Sequence, residues 1–85
     1  MEIHEQFDLA VSESKTLSER PSNETMLQLY SLYKQATEGD VGNSEPANPF
    51  DFVARAKYQA WLGQKGKPRD LAMREYIDLV KKLKG

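Results

Sequence analysis

An all-α fold, a bundle of four helices, is what this sequence predicts, and three observations predict it. Four stretches place apolar residues at steps of three and four, and none keeps the strict alternation of a strand. One long connection, with two prolines, a glycine and two asparagines, divides the first two helical stretches from the last two. At 85 residues the chain is sized for a single domain, residues 1–85, and it has no cysteine. Without disulfides or thiolate metal sites the core rests on packing alone, which favours a compact fold of local contacts.

The first helix is expected from about Ile3 to Leu17. Ile3, Phe7, Ala10, Val11, Ser14 and Leu17 share one stripe, while Glu2, Glu5, Asp8 and Glu13 take the outer face. Arg20-Pro21 ends it, because the residue before a proline is pushed out of the helical region. The second helix starts at Ser22 or Asn23, either of which can cap, with Glu24 in the turn where the dipole favours an acid. Its stripe is Met26, Leu29, Tyr30, Tyr33 and Ala36, and Gly39 is its expected stop.

Residues 40–50, DVGNSEPANPF, form the long connection. Such a crossover lets two consecutive helices run parallel, so the bundle is not simply up-down-up-down. The third helix follows Asp51, a good N-cap, and runs to about Leu62, with Gly63 and Gly66 ending it. Phe52, Ala56 and Ala60 mark one of its faces, and Ala54, Tyr58, Trp61 and Leu62 another. Pro68 suits the first turn of the fourth helix, where a missing N–H costs nothing. Ala72, Tyr76, Leu79, Val80 and Leu83 form the inner stripe there, with Met73 and Ile77 beside it. Lys81, Lys82 and Lys84 fall in the last turn, where cations complement the dipole.

The formal net charge of −1 conceals a division. Residues 1–52 carry three bases against ten acids, a net −7; residues 53–85 carry nine against three, a net +6. This asymmetry suits either a solvated helix face or a basic surface for an anionic partner. The N-terminus lacks the basic region and apolar run of a secretory signal. No stretch reaches the ~20 apolar residues of a membrane span, so a cytoplasmic setting is expected.

Enzyme chemistry has little to work with. His4, near the terminus, is the one histidine, and there is neither a Cys–His pair nor a G-x-S-x-G elbow. No metal or cofactor is expected. A pI of about 5.8 argues against a nucleic-acid module, since such domains are usually basic throughout. A plain helical interaction module stays open on these grounds.

Tyr30, Tyr33 and Lys34 stand at i, i+3 and i+4 and so share a helix face. Two phenols and an ammonium suit a nucleotide: a ring can stack on a base, a hydroxyl can bond to phosphate, and the lysine supplies charge. Two core tyrosines with a lysine at the rim satisfy the same spacing. Arg55-Ala56-Lys57-Tyr58 with Trp61 repeats the pattern, as an anion site or as an ordinary amphipathic helix. Tyr76 lies in the stripe of the fourth, basic helix.

The run YSLYKQATEGD, then P-x-x-x-x-DF-x-x-x-AK-x-x-AW-x-x-x-KG, then A-x-x-x-YI-x-x-V-x-x-LK, resembles the acyl-CoA-binding protein family from Phe7 to Leu83. The resemblance implies a four-helix bundle with an overhand connection between helices two and three. It implies a monomeric, non-enzymatic carrier that binds medium- to long-chain fatty acyl-CoA, pools it and passes it to acyl-CoA-using enzymes. Tyr30, Lys34 and Lys57 would gather round the 3′-phosphate of CoA, and Tyr33 and Tyr76 would line the adenine and ribose region. Lys15 matches a position near the ligand in some members. Met26, Leu27, Val53 and Ala56 would line the acyl groove. Tyr58 stands where the family usually has tryptophan, Val53 where many members have lysine, and Lys67 where a Ser/Thr cap is usual.

Overall fold

The computed structural model describes residues 2–42 and 45–85; residues 43 and 44 of the long connection lie outside the described residues. It contains α1 (Ile3–Ser14), α2 (Asn23–Glu38), α3 (Phe52–Leu62) and α4 (Arg69–Lys84), with no strand among the described residues.

Local chemistry sets the helix ends. Ser22 Oγ accepts the Thr25 N–H at 3.2 Å and opens α2. Asp51 Oδ1 accepts the Ala54 N–H at 3.1 Å and opens α3. These side-chain acceptors satisfy donors that a helix start leaves unpaired. Gly39 stops α2 at φ 83°, a conformation that disfavours any side chain, while its N–H bonds to the Gln35 carbonyl. Pro68 is the N-cap of α4, just ahead of its first turn, and gives no side-chain cap. The first helix stops at Ser14, three residues short of the expected end. There the N–H groups of Lys15 and Thr16 bond to the carbonyls three residues back, and the Ser14 and Thr16 hydroxyls bond to the carbonyls of Val11 and Glu13. Such side-chain bonds compete with the continuing α-helical ladder.

Helix α4 packs against both α1 and α2, and α3 packs against α2 alone. Directions follow from which ends meet. The first turns of α2 and α3 lie together, Met26 and Leu27 beside Phe52, Val53 and Ala56. At the far end the Trp61 indole N–H donates to the Gly39 carbonyl at 2.9 Å, so α2 and α3 run parallel. Ala36 and Thr37, late in α2, lie beside Asp70 and Met73, early in α4, so these two are antiparallel. His4 and Phe7 sit at that same end, and Glu13 pairs with Lys84 at the other, so α1 runs with α4. The order is up-down-down-up, and the α2–α3 connection must return the chain along the bundle, as the long loop predicts.

The core gathers Phe7 and Ala10 of α1, Leu32 and Ala36 of α2, and Ala72, Met73, Tyr76, Ile77 and Val80 of α4. The expected stripes of α1 and α4 hold, and that of α2 holds at Leu29 and Ala36 but turns outward at Met26 and Tyr33. Met26 and Tyr33 are 41% and 39% exposed, whereas Ser31, Leu32, Gln35 and Ala36 are buried. Two of these are polar, and both are bonded. Ser31 Oγ donates to the Gln28 carbonyl and accepts from Gln64 Nε2 at 3.1 Å. Gln35 Nε2 donates to Asp40 Oδ1 and to the Lys67 carbonyl, each at 2.8 Å. Asp40 Oδ1 also accepts the Gly66 N–H at 2.8 Å, where Gly66 stands at φ 91°. A latch of polar groups therefore ties the end of α2 to the α3–α4 turn.

Two outcomes follow. Leu32→Ala, at a site 1% exposed, lowers the urea-unfolding free energy by about 2–5 kcal/mol. The Gly66 N–H and the Gln35 amide hold the Asp40 carboxyl below its usual range. The folded state then binds this proton less readily than the unfolded chain, so the stabilisation is present above the unfolded pKa and is lost as pH falls through the folded one. The melting-temperature gap between wild type and Asp40→Ala is accordingly full at pH 7 and closes in acid below about pH 4.

Candidate functional site

The stripe of α2 from Met26 to Tyr33 is the floor of a two-part depression. Met26, Leu29, Tyr30 and Tyr33 meet Val11, Ser14 and Lys15 of the α1 end, Pro21, and Tyr76 of α4 round a cavity of about 320 Å³. Met26 and Leu27 meet Phe52, Val53, Ala56 and Lys57 of α3, with Arg20 and Asn23, round a second of about 470 Å³. Met26 is a wall of both, and Arg20 Nε donates to its Sδ at 3.4 Å.

The first cavity is aromatic. Phe7, buried in the core, stacks on Tyr33 at 6.0 Å between ring centroids and meets Tyr76 edge-on at 5.2 Å. These are attractive geometries that fix both phenols. The Tyr76 hydroxyl donates to Ser14 Oγ at 3.0 Å, and Ser14 in turn donates to the Val11 carbonyl. Burial pushes the Tyr76 phenol above its usual pKa, with the Ser14 bond acting against it. Tyr33 keeps its outer part in solvent.

Cations crowd the Tyr30 ring. Lys57 Nζ lies 5.3 Å from its centroid, and Lys34 Nζ lies 6.0 Å from it and 5.1 Å from the Trp61 ring. All three are within reach of a ring quadrupole. Lys34 is paired with Glu38 one turn on, and this bond raises the lysine pKa against the opposing effect of burial. No carboxylate among the described residues pairs with Lys57.

Of the residues expected from the sequence, Lys15, Met26, Tyr30, Tyr33 and Tyr76 line the first cavity, and Met26, Leu27, Val53, Ala56 and Lys57 the second. Lys34 lines neither and reaches the depression through the edge of Tyr30. Sequence reasoning did not place Val11, Ser14, Pro21 or Leu29 in the first cavity, nor Arg20, Asn23 or Phe52 in the second. Leu29 packs against the core as its stripe implies and also lines the cavity, Asn23 was read only as a possible cap, and Arg20 lies between helices where no periodicity operates. The basic second half of the chain does not build the site as a block. Of its nine bases only Lys57 lines either cavity, and Lys15 and Lys34 come from the acidic half.

An aromatic cavity, two ammonium groups at its edge and an apolar furrow beyond them suit an amphiphile with a flat, anionic head. Residues 4–80 match the family model described as acyl CoA binding protein. An acyl-CoA-binding protein homolog of Drosophila melanogaster is 43% identical over 95% of this chain and 93% of that protein. An acyl-CoA-binding protein of Ricinus communis is 45% identical over 100% and 93%. The crystal structure of Oryza sativa acyl-CoA-binding protein 2 superposes with a TM-score of 0.90 at 41% identity, covering 96% of this chain and 90% of that one. With its four helices and its sequence both matched along almost their whole length, the chain belongs to the acyl-CoA-binding protein family.

Proposed function

We propose that this chain binds medium- to long-chain fatty acyl-CoA as a monomeric carrier of the cytoplasm, pooling the thioester and passing it intact to enzymes that use it. Lys34, Lys57 and the Tyr30 hydroxyl hold the 3′-phosphate of the head group. Adenine and ribose lie against Tyr33 and Tyr76, with Lys15 at the rim. The acyl chain occupies the furrow of Met26, Leu27, Val53 and Ala56.

The observation that carries this reading is the position of Tyr30, with an ammonium group 5.3 Å from its ring on one side of the furrow and a second at 6.0 Å. Tyr30 lines the aromatic cavity and Lys57, against its ring, lines the furrow, so one ligand can engage both. A hydrogen bond to a charged group contributes about 1.5–3 kcal/mol. Stacking a base on an aromatic ring contributes about 1–3 kcal/mol. Each buried methylene adds about 0.8 kcal/mol. Ordering and desolvation offset part of this, so neither head nor tail suffices for nanomolar binding, near about −12 kcal/mol.

Calorimetry tests the ranking. Palmitoyl-CoA binds tightly, CoA much more weakly and palmitate most weakly, and no free CoA appears on prolonged incubation. Equal binding of palmitate and palmitoyl-CoA would remove the head-group site. Lys57→Ala weakens palmitoyl-CoA by about 10- to 100-fold, the loss of one charged hydrogen bond, and leaves the urea midpoint within error of wild type.

A further inference from the structure

Glu38 sits where helix stability does not ask for it. It is the last residue of α2, and the last turn of that helix has no base. A carboxylate there faces the negative end of the helix dipole. Its partner Lys34 precedes it by four residues, the less favourable order for such a pair. Yet it takes the ammonium group that faces Tyr30 and Trp61. The Lys34 side chain is 24% exposed, so its charge is partly stripped of water and needs a counter-ion. Glu38 is 53% exposed and can turn out into solvent without opening the core. Lys57, the other cation on Tyr30, has no such partner among the described residues.

We infer that Glu38 is a built-in competitor for the phosphate of the ligand, holding Lys34 in place when the site is empty and yielding it when a phosphate monoester arrives. The inference rests on the phosphate reading given above. A phosphate monoester brings up to two charges and three acceptor oxygens, and it can bridge Lys34 and Lys57 together. A singly charged carboxylate offers Lys34 little beyond what Glu38 already supplies. The pair therefore screens out weak anions and lowers the affinity for the proper ligand, which eases its release. Glu38 is a tuning residue: it acts through Lys34 and need not touch the ligand.

Calorimetry with palmitoyl-CoA and with palmitoyl-dephospho-CoA, which lacks the 3′-phosphate, tests this on wild type, Glu38→Gln, Lys34→Gln and the double variant. Wild type is expected to prefer the phosphorylated ligand. Glu38→Gln should then bind palmitoyl-CoA about fivefold more tightly, about 1 kcal/mol, with no change for the dephospho ligand. In the Lys34→Gln background the gain should vanish. If wild type discriminates but Glu38→Gln binds palmitoyl-CoA no better, or tightens both ligands alike, the competitor role is overturned and the phosphate site stands. If wild type does not discriminate, the phosphate site itself fails and the inference fails with it.

Discussion

The buried amide of Gln35 is the constraint on which the rest of the molecule depends. Helix α3 touches only α2 and buries a single side chain fully, Trp61. Apolar burial alone is a weak anchor for a helix of 11 residues. What fixes it is polar: Trp61 to the Gly39 carbonyl, Gln64 to Ser31, and Gln35 through Asp40 and Lys67 to the turn beyond α3. The arrangement is costly, since Gln35 Oε1 is buried with no partner among the described residues. The two donations of the same amide offset that cost, and they hold the end of α3 that sets where Lys57 stands.

Helix α2 divides its circumference into three. Leu32 and Ala36 face α4, Ser31 and Gln35 face the α3–α4 turn, and Met26, Tyr30 and Tyr33 line the aromatic cavity. A helix that packs against two others thus has the least conventional pattern. Its stripe of methionine, leucine and tyrosine is only half covered: Leu29 and Tyr30 are half-buried, and Met26 and Tyr33 are exposed.

Much of this was legible in the sequence. Short-range rules found Ser22, Asp51 and Gly39, because a cap is decided by neighbours within four residues. They found the parallel course of α2 and α3, because only a long connection permits it. Periodicity placed Leu29 and Ala36 of α2 but misplaced Met26 and Tyr33, since an apolar stripe looks the same whether it faces a helix or a cavity. Burial of Ser31 and Gln35 was invisible, as their partners Gln64 and Lys67 lie more than thirty residues on. The stop at Ser14 turned on hydroxyl groups bonding to the local backbone, which the proline rule overlooked. Spacing left Tyr30, Tyr33 and Lys34 open between core and ligand, and only the family motif pointed them toward a ligand. Phe52 and Arg20 needed the fold itself, because α3 and the α1–α2 link meet only in three dimensions.

The indole of Trp61 has a consequence of its own. It is the only tryptophan in the chain, it is fixed by its bond to Gly39, and the Lys34 ammonium stands 5.1 Å from its ring. The emission energy of an excited indole follows the electric field across the ring. Any event that moves charge at Lys34 changes that field, while the ring itself stays anchored. The protein therefore carries a built-in optical probe, and the colour of its ultraviolet fluorescence responds, without a label, to a displacement of the ammonium group beside the ring.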